Sequence, residues 1–211
     1  IGQYQVKVAN IAWSPSGSFV SVCTVPNDEA RGITEESLYP TCAVTTYNVL
    51  EGKLHSTFEL DSCPNDLAWH PDESKIVVGT STGAVIFDAA TGEYTLNQEI
   101  TQIESIAYSR DGNFLASGNG DGSVAVWTSD SMSLVNVFYI HSGSVNSISW
   151  SPTGNHIASA SPENGIIILN SSTGEQIRST SLNSNHLNIS WNPKNSLLAV
   201  TYVGRTVVIY N

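Results

Sequence analysis

The chain has 211 residues, 40% of them hydrophobic, and its 19 acidic side chains outnumber its 8 basic ones to give a net charge of −11. This length can bury one sizeable core, and no apolar run approaches the roughly 18 residues of a membrane helix. Direct binding to a nucleic-acid backbone needs clustered Lys and Arg, which the chain lacks. We therefore expect neither membrane insertion nor direct nucleic-acid binding.

The negative charge is concentrated in the first half of the chain. Residues 1–105 carry 14 acidic and 4 basic side chains, whereas residues 106–211 carry 5 and 4. An acidic region attracts basic partners and repels nucleic acid, although it also serves solubility.

One short pattern of apolar residues, an aromatic residue and a polar turn occurs five times along the chain. The five aromatic residues are Trp13, Trp69, Tyr108, Trp150 and Trp191. Their spacings are 56, 39, 42 and 41 residues. A period of about 40–45 residues is typical of a four-stranded propeller blade.

Each unit continues as further short strands separated by tight turns. Turns such as Gly120-Asp121-Gly122 and Glu163-Asn164-Gly165 favour hairpins, because their central residues accept positive φ. Third strands end on a large apolar residue, as at Phe87 and Trp127, and fourth strands are more polar. The sequence predicts an all-β fold, a β-propeller of four-stranded antiparallel blades with five repeat units, over a single domain of residues 1–211.

The two ends of the chain leave ring closure open. Gln3–Val8 reads as an outermost strand with no unit before it, and the last unit stops at Asn211 after its third strand. The first segment could complete the last blade and close a five-bladed ring. Alternatively, one or two blades are missing and a partner completes a larger ring.

The chain resembles the WD40-repeat superfamily, most closely from Tyr108 through Asp121 to Trp127. The resemblance implies a hydrogen-bonded tetrad of His, Ser or Thr, Asp and Trp in a blade. Asp121 and Trp127 match in the third unit, whereas His141 belongs to the fourth, so no complete tetrad is expected. The last two units, through Leu187–Lys194 followed by Leu197-Leu198-Ala199, also resemble the WD40 subunit of the THO complex.

The long first spacing predicts an insertion at residues 26–40, between the second and third strands of the first unit. Long loops are often functional, and this one is expected on the same face as the loops that enter each first strand. We predict a partner-binding face there; the alternative is a tolerated insertion. Its candidate residues are Asp28, Glu29, Glu35, Glu36, Asp61, Asp66, His141, Ser144 and His186.

No pattern in the sequence indicates catalysis, a cofactor or a metal ion. The histidines lack metal-ligand spacing, and Cys23, Cys42 and Cys63 form neither a zinc motif nor a disulfide framework. This cysteine usage favours a reducing compartment, and hence an intracellular protein of nucleus or cytoplasm.

The predicted function is that of a non-catalytic interaction scaffold, a WD40 propeller subunit of a larger intracellular hetero-complex, with partners that carry basic segments. Messenger-RNA assembly and export is one setting, and a translation-initiation subunit is the alternative. A second class of function is an enzyme or small-ligand propeller acting at the channel mouth.

Overall fold

The computed structural model describes residues 6–26, 41–182, 187–202 and 206–210. These residues form nineteen β-strands and contain no helix, which confirms the all-β propeller prediction. No helix with the length and apolar character needed to cross a membrane occurs in these ranges.

The strands form five antiparallel sheets, which are the blades. By blade, the strands are β1 (Val6–Trp13), β2 (Phe19–Pro26), β3 (Cys42–Asn48) and β4 (Lys53–Leu60); β5 (Pro64–Trp69), β6 (Lys75–Thr80), β7 (Gly83–Asp88) and β8 (Tyr94–Asn97); β9 (Ile103–Tyr108), β10 (Phe114–Asn119), β11 (Ser123–Thr128) and β12 (Leu134–Tyr139); β13 (Ser147–Trp150), β14 (His156–Ser161), β15 (Gly165–Asn170) and β16 (Gln176–Thr180); β17 (Asn188–Trp191), β18 (Leu198–Tyr202) and β19 (Thr206–Tyr210).

Strand order within each blade follows the chain, and the first strands of successive blades contact one another. The first strands therefore lie innermost. Each of the five repeat aromatics is the last residue of a first strand, as predicted for equivalent positions. Glycine is required in the turn at Gly122, where φ is +86° and a Cβ atom would lie 2.3 Å from the His141 carbonyl oxygen.

The hydrophobic core is divided into four clusters, one at each junction between successive blades. At the first junction, Cys23 and Val44 of blade 1 pack with Trp69 and Phe87 of blade 2. The second and third strands of blades 2 to 4 are buried on both faces, since each of these blades lies between two others; this explains their nearly continuous apolar sequences.

The prediction that Gln3–Val8 closes the last blade is wrong for its described part. Val6, Lys7 and Val8 pair with β2 of blade 1, so they begin that blade's first strand. β1 contains a register shift between Val8 and Asn10, but its residues on both sides of the shift pair with β2. Residues 3–5 lie outside the described residues.

The cysteines also depart from expectation, because Cys42 and Cys63 form a disulfide with Cα atoms 4.9 Å apart. Cys42 begins β3 and Cys63 follows β4. Because these strands pair antiparallel, the start of β3 lies next to the end of β4, and the two cysteines meet although they are 21 residues apart in sequence. Cys23 stays a buried thiol, and burial, followed by the nearby Asp66, raises its pKa to about 12.

The tetrad typical of the resemblance is split between two blades, in keeping with the prediction that none is complete. In blade 3, Trp127 Nε1 donates to Ser117 Oγ at 3.3 Å. In blade 4, His141 Nε2 lies 2.8 Å from Ser159 Oγ, and the residue at the Trp position is Leu169. Blade rigidity therefore comes chiefly from apolar packing at the junctions.

Candidate interaction face

One face of the propeller carries the connections between blades together with the turns between second and third strands. We call this the loop face; its described segments are 61–63, 81–82, 98–102, 120–122, 140–146, 162–164 and 181–182. The opposite face, with the turns between first and second and between third and fourth strands, is the turn face. The alternation of strand direction within a blade places the connections in this way.

Hydrogen bonds between connections hold the loop face together. Gln102 N donates to Ser81 O at 2.9 Å, and Gly120 N donates to Gln102 O at 2.8 Å. Farther along, Ser142 N donates to Asn164 Oδ1 at 2.7 Å. Each link joins the loop entering a blade to a turn between second and third strands, so the described part of this face is a fixed surface.

In the described connections of the loop face the exposed ionisable side chains are acidic, although exposed Lys7 lies near this face in β1, opposite Val25. Asp61, Glu99, Asp121 and Glu163 are all exposed on it, and no Lys or Arg occurs in its described segments. The turn face is mixed: Lys53, Arg110 and Lys194 stand there among carboxylates. The difference in charge between the faces arises from the fold, because the residues concerned are interleaved along the chain.

Several predicted partner-binding residues lie outside the described residues, namely Asp28, Glu29, Glu35, Glu36 and His186. The two ends of the insertion are described, and both Pro26 and Thr41 lie at the loop face. Asp61 is exposed there, and Ser144 is half-buried.

Asp66 does not present a free carboxylate to a partner, which corrects its inclusion among the surface candidates. Its Oδ1 accepts from Asn10 Nδ2 and from Leu67 N, and its Oδ2 accepts from Ile106 N at 2.8 Å. The carboxyl group therefore joins the first strands of blades 1, 2 and 3. Burial raises its pKa to about 6, against the opposing effect of the Ile106 and Leu67 hydrogen bonds.

His141 is likewise buried, with 8% of its surface exposed, because it packs inside blade 4. Burial lowers its pKa to about 4, although nearby Glu163 opposes the shift. The ring is therefore neutral near pH 7. Its Nδ1 atom is buried and has no hydrogen-bond partner among the described residues.

Sequence reasoning missed three exposed carboxylates of the loop face: Glu99, Asp121 and Glu163. The sequence could have indicated two of them by position, because Asp121 and Glu163 occupy the turn after the second strand in consecutive units. These carboxylates stand on separate loops, and the described residues contain no group of three or more His, Cys, Asp and Glu that could hold a metal ion. The arrangement is suited to binding a charged partner.

Comparison with known proteins agrees with this architecture. The chain is 32% identical over 113 residues to the intraflagellar transport protein 122 homolog of Danio rerio, which is 52% of this chain and 9% of that protein. It is 31% identical over 125 residues to actin-interacting protein 1-2 of Arabidopsis thaliana, covering 56% of this chain and 20% of the relative. The chain thus spans a small part of the length of these relatives, which are WD40-repeat proteins.

The fold also matches a WD40 propeller in the crystal structure of the mitotic checkpoint complex, with a TM-score of 0.79 at 21% identity. The match covers 98% of this chain and 64% of that one. A family model described as eukaryotic translation initiation factor eIF2A matches residues 3–170, well over half of the sequence. The chain, a WD40-type propeller, therefore belongs to the eukaryotic translation initiation factor eIF2A family.

Proposed function

We propose that this propeller, taken as one unit over residues 1–211, is a non-catalytic interaction scaffold in a larger intracellular hetero-complex, in the nucleus or cytoplasm. Its loop face binds a basic segment of a protein partner. The insertion at 26–40, with Asp28, Glu29, Glu35 and Glu36, extends this acidic face.

The observation that carries the proposal is the unequal charge of the two faces. Every exposed ionisable side chain in the described loop-face connections is a carboxylate, whereas the turn face has both signs. Like charges on a fixed surface add to one field, which steers a basic segment toward it and raises the rate of encounter. A surface of mixed charge has no such directional effect.

Translation initiation is the setting that the family match favours. The match covers the first three blades and the first three strands of blade 4, up to Asn170, and so includes most of the described loop face. None of the named relatives supports a place in messenger-RNA assembly and export, so we give translation initiation precedence.

The alternative class, an enzyme or small-ligand propeller, requires ionisable side chains that converge on one point. Asp66 and His141 come from a first strand and an interblade loop, but Asp66 accepts hydrogen bonds at both carboxylate oxygens and His141 Nε2 bonds Ser159 inside blade 4. The remaining carboxylates stand on different loops. This distribution supports binding rather than chemistry.

The test compares two sets of neutralising substitutions. In one variant, Asp28, Glu29, Glu35 and Glu36 are changed to Asn or Gln; in a second, Asp61→Asn and Glu99→Gln are added. The probe is a synthetic peptide rich in Lys and Arg, and its association rate is measured at low and high salt. We expect the second variant to associate about tenfold more slowly at low salt, with the difference shrinking at high salt.

The control variant changes Glu51, Glu93, Asp130 and Glu175 on the turn face, which alters the net charge as much as the four insertion substitutions do. We expect it to associate with the peptide nearly as fast as the parent. Equal slowing by both four-residue variants would mean that net charge alone acts, and the loop-face proposal would fail. An affinity pull-down with mass spectrometry then identifies the natural partner.

A further inference from the structure

A groove of about 280 Å³ lies between blades 3 and 4 on the turn face. Phe114, Val126 and Val135 of blade 3 form its apolar part, and asparagine, serine and threonine side chains complete its lining. Asp111 is the one ionisable residue among the described residues that line it. Pockets for drug-sized ligands begin at about 300 Å³, so this groove is better suited to a single side chain of a partner.

At the preceding junction, between blades 2 and 3, the equivalent place is filled by an imidazole ring. His70 of blade 2 packs so closely against Gly112 of blade 3 that a Cβ atom on the glycine would lie 2.7 Å from Nε2. This Nε2 atom lies 3.0 Å from Gly112 O, and Nδ1 is hydrogen-bonded to Asp72 Oδ1. A planar group with nitrogen atoms on two sides thus connects a carboxylate with a backbone carbonyl.

Between blades 3 and 4 the same acceptors are present without the ring. The carboxylate and the glycine recur as Asp111 and Gly154, but Ser109 stands where blade 2 has His70. A Cβ atom on Gly154 would have no heavy atom within 4 Å, in contrast to the crowded glycine of the preceding junction. The space that the imidazole fills in one junction is therefore open in the next.

The first junction places a second imidazole in the same groove from another strand. His55, the bulged residue of β4, lies beside Phe19 with ring centroids 4.8 Å apart. Phe114 is the counterpart of Phe19 in blade 3, and both rings stack on the repeat tryptophan of the next blade, at centroid distances of 6.1 and 6.4 Å. The bulged residue of β12 is Val135, and Phe114 is 37% exposed. A planar nitrogen-bearing group thus fits beside this aromatic ring.

The charge of the groove selects among such groups. Asp111 Oδ1 accepts from Ser109 Oγ at 2.6 Å and from Asn113 N at 3.1 Å, whereas Oδ2 accepts only from Asn113 Nδ2, at 2.7 Å. A carboxylate oxygen can accept two hydrogen bonds, so Oδ2 has capacity for another donor. The hydrogen bonds, chiefly that from Ser109, lower the pKa of Asp111 against the effect of partial burial. Asp111 is therefore an anion at neutral pH, and the groove favours a cation.

Of the cationic side chains, arginine matches this groove best. Its guanidinium group is planar, stays protonated at neutral pH and stacks on aromatic faces while it donates in several directions. The ammonium group of lysine carries the same charge but has no plane to lie against Phe114. Histidine has the plane, but at its ordinary pKa of about 6.5 it is mostly uncharged at pH 7.

We infer that the groove between blades 3 and 4 binds an arginine side chain of a protein partner. The guanidinium group lies against Phe114 and donates to Asp111 Oδ2 and to Gly154 O, as the imidazole does to its two acceptors at the preceding junction. The aliphatic part of the side chain packs against Val126 and Val135. This site is on the turn face, opposite the acidic loop face, and does not depend on the function proposed for that face.

The probe is the peptide acetyl-Gly-Arg-Gly-amide, followed by nuclear magnetic resonance of the ¹⁵N-labelled chain. We expect a saturable shift of the indole N–H signal of Trp150, which lines the groove and stacks on Phe114. The signal of Trp69, at the junction that His55 occupies, should not move. Peptides with citrulline, which keeps the plane but not the charge, or lysine, which keeps the charge but not the plane, should bind about tenfold more weakly.

Two pairs of variants locate the binding. Asp111→Asn removes the charge in the groove, and Asp130→Asn removes one from an exposed turn-face residue outside it. Val135→His puts an imidazole where blade 1 has one, and Ile177→His makes the same change at the equivalent bulge of blade 4; the two side chains are 45% and 53% exposed. We expect Asp111→Asn and Val135→His to weaken binding of the arginine peptide about tenfold, and their controls to leave it unchanged, with all four melting near the parent.

Three results would overturn the inference. One is an unchanged Trp150 signal at saturating arginine peptide, and another is equal binding of the citrulline or lysine peptide. The third is an equal effect of Asp111→Asn and Asp130→Asn, which would mean that the peptide responds to net charge and not to this groove.

Discussion

The tryptophan that ends the first strand is buried at the junctions between blades but exposed on the side of blade 1 that faces no described blade. Trp69 and Trp150 are 8% and 7% exposed because the preceding blade covers them, whereas Trp13 is 60% exposed. Ile11, on the same strand as Trp13, is 58% exposed, and its counterpart Ile106 is 4% exposed. The sequence positions are equivalent, so the neighbouring blade decides their burial.

Blade 5 repeats the contrast at the other end. Val207 and Ile209 of β19 are 63% and 64% exposed, whereas the corresponding Val124 and Val126 of β11 are 0% and 2% exposed. The described residues thus form a row of five blades with four packed junctions and two apolar flanks.

The strongest test of this comparison replaces equivalent tryptophans. Trp150→Ala removes a side chain from a packed junction, along with the hydrogen bond from Nε1 to Ala107 O at 3.0 Å. We expect it to lower the free energy of unfolding by about 3–5 kcal/mol, as for other buried aromatics. Trp13→Ala should cost less than about 1 kcal/mol. Urea unfolding followed by circular dichroism measures both.

The stability loss of Trp13→Ala also tests whether this side of blade 1 is exposed in solution. A loss for Trp13→Ala as large as that for Trp150→Ala would mean that the flank is covered, by a second copy or another polypeptide. Repeating the measurement at several protein concentrations separates these cases from an isolated chain, because association makes stability depend on concentration.

The disulfide gives a second test, because it fastens an end blade that has only one packed junction. Closing a loop of 21 residues stabilises a fold by roughly 3 kcal/mol through the entropy of the unfolded chain. We expect Cys42→Ser with Cys63→Ser to lower stability by about that amount. Hydrogen exchange should accelerate in β3 and β4 and stay unchanged in blade 4.

Reduction of the parent with a thiol should reproduce the double substitution, since the remaining cysteine, Cys23, is a buried free thiol outside the disulfide. If intact mass and alkylation show free thiols at Cys42 and Cys63 in the purified protein, the disulfide does not contribute under those conditions. The double substitution should then have little effect.

Asp66, which joins the first strands of blades 1, 2 and 3, should make the stability of the fold depend on pH. Its pKa rises from 3.8 to about 6 on folding, so the folded state holds a proton that the unfolded state releases in that interval. Stability should therefore fall as pH rises from about 4 to 6, by up to about 3 kcal/mol for a shift of roughly 2 pKa units. Unfolding free energies from pH 4 to 7 measure this slope.

Asp66→Asn removes the titration, and Asp61→Asn, on the exposed loop face, is the control that should retain it. His141 titrates in an overlapping interval with the opposite sign, since its lowered pKa makes stability rise with pH from about 4 to 6.5. The difference between variant and parent cancels this contribution. An Asp66→Asn curve parallel to the parent's would refute the role of buried Asp66.

Much of the fold could be predicted from local patterns. Turn glycines, the aromatic at the end of each first strand and the polar fourth strands all reflect constraints acting within about 40 residues. The terminal aromatic is found in all five blades, and a fourth strand in blades 1 to 4. The partner-binding residues are harder to predict from the sequence, because the exposure of a side chain depends on contacts between units. Asp66 and His141 look like loop residues in sequence, but Asp66 is hydrogen-bonded between blades and His141 is hydrogen-bonded inside blade 4.

The sequence by itself determined the repeat, the blade architecture and the acidic excess, because strand alternation, turn geometry and charge are properties of short segments. Only the tertiary structure decided which carboxylates share a face, that β1 starts at Val6, and that Cys42 meets Cys63. It also decided that Trp13 is exposed while Trp150 is buried. Each of these outcomes depends on which strand or blade lies beside a residue, and distance along the chain does not specify that neighbour.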